Sequence, residues 1–395
     1  MSEPRVLIDA TAVPADRGGV GRYVDCLVAA LEADGAAPTV VCQPRDVELY
    51  AGLAPHADVL PAAEQVATRT GRLTWEQTTL PWLASRVRAD VLHCPHYTMP
   101  LAGRVAGLAT VVTLHDAIFF TDPELHSSVK ARFFRAWTRT SLRRADGCVV
   151  PSESAAQELG RVAGADRRAL HVVHHGVDTD RFHLPSPEEV AAVRSRLGLG
   201  SSRYVAFLGA LEPRKNVPAL IRGFARAHQA LASRSDPPVL VLAGQPGWDR
   251  HVERALAAVP HRVRVIRAGY LPLGELSGFL GGAVVVAYPS LGEGFGLPVL
   301  EAMAAGAAVL TTRRLAIPEV GGDAVAYCGV AAADIAAGIL ELLDDPARRA
   351  EFSAAAQRRA KEFSWAASAV LHRQAYANAY ANAYGKAAVA HRRSR

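Results

Sequence analysis

Short apolar runs rich in β-branched residues recur along the whole of this 395-residue chain, and no other feature limits its fold so strongly. In the first half they are Val6-Leu7-Ile8, Thr39-Val40-Val41, Val91-Leu92-His93, Thr110 to Thr113 and Cys148-Val149-Val150. In the second half they are Tyr204 to Leu208, Val239 to Leu242, Val263 to Ile266, Val284-Val285-Val286 and Ala308-Val309-Leu310. Runs without polar alternation suit strands buried on both faces, as in a parallel sheet. Stretches with helical spacing lie between many of them, and alternating strands and helices build βαβ units and open parallel sheets. The length is too great for one compact core and fits two α/β domains. The best break is Leu184-Pro185-Ser186-Pro187-Glu188, where prolines and a serine interrupt the pattern and a new helix starts. A second falls at Phe363-Ser364-Trp365, where Ser364 is placed to cap a final helix.

Composition narrows the class. Half the residues are hydrophobic and 21% are charged, an ordinary soluble balance. No apolar run reaches the ~18 residues needed to cross a bilayer. The segment Met1 to Arg5 leads straight into an apolar run without a basic, then apolar, leader, so a cytoplasmic location is expected. Five dispersed cysteines, Cys26, Cys42, Cys94, Cys148 and Cys328, form no C-x-x-C pair and read as buried thiols, not as a disulfide framework or a zinc site. The net charge of +6 suits a polyanionic partner such as a nucleoside diphosphate or an anionic membrane face, without choosing between them. No nucleic-acid-binding motif is present, and no such partner is expected.

Two helical segments stand out. Between Lys130 and Arg144, the residues Arg132, Arg135, Arg139 and Arg143 can line one face while Phe133, Phe134 and Trp137 lie largely on another. Such a helix can make a peripheral contact with an anionic membrane, or simply be a domain helix with a solvated face. Near the end, Tyr376, Tyr380 and Tyr384 recur every four residues and share a helical face, a stripe suited to docking the last helix. The tail from His391 to Arg395 is basic and expected to be disordered.

The chemistry concentrates between Pro289 and Gly306, after the run ending at Tyr288. Gly292, Gly294 and Gly296 permit a tight, exposed backbone path. Pro298 suits the first position of a helix and Gly306 its C-terminal cap. Free N–H groups of this loop would then face a ligand, and the helix start favours an anion. Glu301 is expected in the first turn, where a carboxylate can accept two ribose hydroxyls, and Glu293 on the loop could hold sugar hydroxyls. The alternative is an ordinary strand-loop-helix with a charged first turn. Upstream, Arg214 and Lys215 form a cationic βα turn able to neutralise a diphosphate, one by forked donors and one as a mobile point charge.

These strings resemble the family-4 retaining glycosyltransferases of the GT-B fold. Glu293 and Glu301 stand in that family's E-x7-E arrangement within EGFGLPVLEAMAAG. Phe207 to Asn216 resembles its strand-turn segment ending in R-K-N, and Gly18-Gly19-Val20-Gly21-Arg22-Tyr23 its glycine loop, which lacks the spacing of a dinucleotide fingerprint. Leu242-Ala243-Gly244, Ile317 to Val320 and Phe363-Ser364-Trp365 are similar to further landmarks, so the resemblance covers nearly the whole chain.

The resemblance implies an α/β chain of GT-B type, two Rossmann-like domains with parallel sheets facing a central cleft. Residues 1–184 would form the acceptor-side domain, 185–363 the nucleotide-sugar-binding domain, and 364–395 a helix crossing back to the first domain plus the basic tail. It implies a retaining, metal-independent hexosyltransferase with no cofactor, whose nucleoside-diphosphate sugar is a substrate. GDP-mannose is favoured, then UDP-glucose, because Leu211 to Asn216 and Gly244 to Trp248 look most like bacterial mannosyltransferases. The acceptor would be a glycan or a lipid-linked sugar. By resemblance His115, Arg214, Lys215 and Glu293 are the catalytic group, with Gly18, Gly19, Gly294, Phe295, Gly296, Leu297 and Glu301 binding the donor. Asp116 would orient the loop or His115. The D-x-D at Asp178 to Asp180 reads as a turn feature, and His93-Cys94-Pro95-His96 lacks two further ligands for zinc. Alternatives are a sugar-nucleotide epimerase of the same fold, a non-catalytic GT-B scaffold and, disfavoured by its missing fingerprint, a nucleotide-binding dehydrogenase.

Overall fold

The computed structural model describes residues 3–101, 108–231 and 237–393, with side chains to Tyr384. Contacts divide the chain into two units, Met1–Gly176 with Ser364–Arg395, and Val177–Phe363. The change from one unit to the other falls at Gly176/Val177, ahead of the proline-rich stretch, because Val177 and Phe182 are buried in the second unit's core. The helix after the prolines, Pro187–Arg196, opens with Pro187 and a reciprocal Ser186/Glu189 capping box.

The first unit holds seven strands: β1 (Val6–Asp9), β2 (Thr39–Cys42), β3 (Asp58–Pro61), β4 (Val91–Cys94), β5 (Ala109–Thr113), β6 (Gly147–Val150) and β7 (Leu170–Val172). They pair all-parallel in the order β3-β2-β1-β4-β5-β6-β7. Both faces are buried, and neighbouring residues divide between them. Leu7, Val41, Leu92, Val112 and Val150 enter one core cluster, whereas Ile8, Val40, Val91, Val111 and Val149 enter the other.

The second unit has six parallel strands: β8 (Tyr204–Leu208), β9 (Val239–Ala243), β10 (Val265–Gly269), β11 (Val285–Tyr288), β12 (Val309–Thr312) and β13 (Ala326–Cys328). Their order is β10-β9-β8-β11-β12-β13. Each sheet therefore reverses direction once, between β1 and β4 and between β8 and β11. Such a switch point opens a crevice at the strand carboxyl ends. The three strands outside the apolar runs named above, β3, β7 and β13, are all sheet edges, and β10, displaced by two residues from its apolar run, is a fourth.

The last helix, Trp365–Arg393, belongs to the first unit and lies on β4, β5, β6 and the helix Gly19–Ala33. Ser364 Oγ accepts the Ala367 N–H at 3.1 Å, capping its start. Tyr376 is buried, Tyr380 half-buried and Tyr384 exposed, so the tyrosine stripe leaves the core as the helix runs on. The helix continues through His391 to Arg393. Ser394 and Arg395 lie outside the described residues.

Among the described residues no helix is long and apolar enough to cross a membrane, and all five cysteines are free thiols.

Candidate functional site

The second unit's switch point gathers the cationic turn and the glycine loop. Arg214 and Lys215 follow β8 on a single 3-10 turn, Pro213–Lys215, and Glu293 follows β11. One hydrogen bond locks the turns together: Leu291 N–H donates to Arg214 O at 2.8 Å. Deeper support comes from β12, whose Thr311 and Thr312 hydroxyls donate to the carbonyls of Tyr288 and Ser290. On the other flank, Gly244 has φ +134°, and a Cβ there would lie 2.1 Å from Gly209 O. Only glycine lets the loops after β8 and β9 approach this closely.

Glu293 is the hub. Its Oε1 accepts from Lys215 Nζ at 2.9 Å, Tyr288 Oη at 3.0 Å and Ser290 Oγ at 2.6 Å. Its Oε2 accepts from Arg214 Nη1, which also bonds Gly292 O at 3.1 Å. Lys215 Nζ in turn donates to Tyr288 Oη and lies 4.9 Å from that ring's centroid. Burial pushes the Glu293 carboxyl up, but Arg214 and Lys215, helped by Ser290, outweigh it and hold the group at about 2. Burial and the neighbouring Arg214 draw the Lys215 ammonium below its usual value, while Glu293 opposes them. Burial and the Glu293 carboxylate together keep the Tyr288 phenol protonated. Three donors occupy Oε1, so Oε2 is the oxygen with acceptor capacity left for a hydroxyl.

The helix after the loop spans Leu297–Ala304, with Gly296 at φ +108° before it and Gly306 at φ +75° beyond its end. Two expectations need correction. Pro298 occupies the second position, and Glu301 lies one turn deeper than the first, because the left-handed Gly296 lets the helix begin at Leu297. Glu301 is buried, 2% exposed. Phe295 is also buried, edge-on to Phe363 at 5.8 Å, so its backbone and not its ring faces the loop. Gly294 and Leu297 are half-buried.

In the first unit, Gly18 and Gly19 sit exposed where the helix Gly19–Ala33 begins, and a Cβ on either would meet nothing within 4 Å. Local packing therefore does not demand glycine there. His115 lies two residues beyond β5, and its Nε2 hydrogen-bonds Pro95 O at 2.7 Å. A carbonyl only accepts, so Nε2 carries the proton and Nδ1 is the acceptor of the neutral ring. Burial holds this imidazole below its ordinary value. Asp116 Oδ1 instead takes the Tyr97 hydroxyl at 2.9 Å and the Ile118 N–H at 3.2 Å, orienting the loop.

Behind His115 runs a buried relay that the sequence did not reveal. His372 Nδ1 donates to Ser368 O at 2.8 Å, so its Nε2 accepts the Tyr23 hydroxyl, also at 2.8 Å. Tyr23 Oη then accepts from Thr113 Oγ1 (2.9 Å), Thr113 from His93 Nε2 (2.8 Å), and His93 Nδ1 from the Tyr376 hydroxyl (3.0 Å). Every ring is neutral and every tautomer is set by one carbonyl. The Tyr23 ring meets His115 edge-on at 5.3 Å and His175 at 4.7 Å. Tyr23 is the last residue of the glycine-loop string, while His372 precedes Tyr376 by one helical turn; that spacing was the only available signal.

Other singled-out groups are used structurally. Asp178 Oδ1 accepts the Asp180 and Arg181 N–H groups, and its Oδ2 pairs with Arg181 at 3.1 Å. Arg135 turns inward to Phe119 O at 2.6 Å, leaving Arg132, Arg139 and Arg143 on the exposed face of the helix Ser128–Arg144.

Sheets of this order serve many enzymes, and similarity to known proteins settles the class: this chain is a glycosyltransferase with the GT-B fold. It belongs to glycosyltransferase family 4. Residues 17–181 match the profile "Glycosyltransferase Family 4" and residues 190–359 match "Glycosyl transferases group 1". The chain is 33% identical over 291 residues to the O-antigen chain mannosyltransferase B of Escherichia coli, covering 72% of this chain and 73% of that one. It is 28% identical over 382 residues to the alpha-maltose-1-phosphate synthase of Mycolicibacterium smegmatis, covering 89% and 93%. The crystal structure of Anabaena HepE in complex with UDP-glucose superposes with a TM-score of 0.72 at 17% identity, over 93% of this chain and 97% of that one.

Proposed function

We propose that this glycosyltransferase moves a hexose, mannose in the first place, from a nucleoside-diphosphate sugar to a glycan or lipid-linked acceptor with retention of anomeric configuration. GDP-mannose is the favoured donor. One observation carries the reading: Arg214, Lys215 and Glu293 converge at the switch point of the second sheet. There the two cations meet the leaving diphosphate, and preorganised charge of this kind often dominates such a reaction. Glu293 fixes both cations and offers Oε2 to a sugar hydroxyl. Glu301 takes the ribose hydroxyls, and the backbone of Gly294 to Leu297 lies along the sugar. To the first unit the proposal gives Nδ1 of His115 and the open backbone at Gly18 and Gly19 as groups that meet substrate. The departing phosphate helps deprotonate the acceptor hydroxyl on the same face, so no enzyme nucleophile and no metal step is required.

Mannose rests on the Escherichia coli mannosyltransferase relative. A glucosyl donor is the second reading, favoured by the near full-length match to the maltose-1-phosphate synthase. A lipid-linked acceptor would place the enzyme at a membrane surface. Val129 and Arg132, exposed near the start of a helix without an acidic residue, suit such a contact.

A panel of sugar nucleotides, tested for binding and slow hydrolysis, decides the donor. Lys215→Ala and Glu301→Ala should each abolish the signal with the preferred donor, and product anomers resolved by NMR report the stereochemistry. Wild-type behaviour of both variants would refute the site assignment; an inverted product would refute retention.

A further inference from the structure

The first unit also contains a polar cavity of about 970 Å³. It lies at the opening ends of β6 and β7, with Gly147 and His171 in its wall, whereas His115 follows the closing end of the adjacent parallel β5. Four residues of β6, about 13 Å of strand, separate the two ends. The cavity is therefore not part of the site described above.

Its chemistry is specific. Arg139 and Arg143 enter from one helix and Arg168 from the turn before β7. Neither the Arg143 nor the Arg168 guanidinium has an ion pair or hydrogen bond among the described residues. Two carboxylates also line it: Asp146 Oδ2 accepts the Thr110 N–H at 3.1 Å and Asp166 Oδ1 the Arg168 N–H at 3.0 Å. Asn378 and Asn382 of the last helix form the facing wall, and only Asn382 is engaged, at 3.4 Å from Asp146 O. The helix Ser128–Arg144 adds Lys130, Arg132 and Arg144 and no acidic residue, so the approach is electropositive.

We propose that this cavity is a second, non-catalytic binding site for a phosphate ester that also carries hydroxyl groups. Forked guanidinium donors match phosphate oxygens, and the asparagine amides both donate to and accept from hydroxyls. The volume falls within the roughly 300–1,000 Å³ of small-molecule sites. One chemistry has two sources, a soluble sugar phosphate or the glycerol phosphate headgroup of a lipid. The inference goes beyond hexosyl transfer and does not depend on it.

The full chain and its Arg143→Gln/Arg168→Gln double variant are titrated with fructose bisphosphate by calorimetry. Both are also sedimented with vesicles of phosphatidylcholine, with and without phosphatidylglycerol. Binding in either arm, weakened on the order of 100-fold in the variant, supports the proposal, since the variant loses two charge-assisted donors to the phosphate. Fructose alone should not bind, and salt should weaken the interaction. Binding of the bisphosphate assigns a soluble ligand; binding only to phosphatidylglycerol vesicles assigns a headgroup. Absence of binding in both arms, or a variant that binds like wild type, overturns it. Sugar-nucleotide affinity, unchanged in the double variant, separates this outcome from any failure of the transferase reading.

Discussion

Protonation of His372 should unfasten the last helix, and the size of the effect follows from its burial. Burial lowers this imidazole from 6.5 to about 4, because the ring lies wholly inside the protein, although its bond to Ser368 opposes the shift. Between these values the unfolded chain carries a proton that the folded chain does not, so stability falls as pH falls. It is fully present above 6.5 and lost progressively toward 4. At 1.36 kcal/mol per unit, the loss at about pH 5 is about 2 kcal/mol, rising to about 3 kcal/mol below pH 4. His372→Gln keeps an amide oxygen to accept the Tyr23 hydroxyl but cannot take the proton. Urea unfolding of wild type and variant, at neutral pH and at about pH 5, isolates this contribution: the stability lost on acidification should be smaller in the variant by about 2 kcal/mol. Equal acid sensitivity of the two proteins would refute the reasoning, as would an NMR titration of His372 with a midpoint near the free imidazole value. The same direction applies to His93, His115 and His175, all lowered chiefly by burial, so wild type should lose stability steeply below neutrality.

Three further outcomes are expected. Tyr288→Phe removes a donor from Glu293 and an acceptor from Lys215, and should lower stability by about 2 kcal/mol and reduce kcat about tenfold in a donor-hydrolysis assay. Gly296→Ala forces a side chain into φ +108°, and should cost about 1 kcal/mol or more by thermal unfolding and weaken donor binding, whereas Gly19→Ala, inside the helix Gly19–Ala33 and in open space, should not lower stability. Chelator should leave the transfer rate unaltered in a product assay; a rate restored only by a divalent ion would overturn the metal-free mechanism.

Much of the fold and the outline of the site were legible in the chain itself. Strands inside the sheets must be apolar on both faces, so Val6 to Ile8, Val111 to Thr113 and Val239 to Leu242 announce themselves without a partner. The edge strand Asp58–Pro61 does not: it is only partly covered, so burial imposes no continuous apolar run on it. The glycine loop and the Arg214-Lys215 turn are contiguous strings, and a contiguous string is readable. The bonds that give Glu293 its charge state are not, because Arg214 and Lys215 reach it from the turn after β8, a strand that only the reversal of sheet order places beside β11. Likewise, no spacing in the chain joins Tyr23 to His372 across 349 positions. Sequence determines which residues are apolar, charged or conformationally free, since those are properties of single residues and short neighbourhoods. Which charges neutralise one another, and which histidines lose water and stay neutral, was decided only when folding removed them from solvent together.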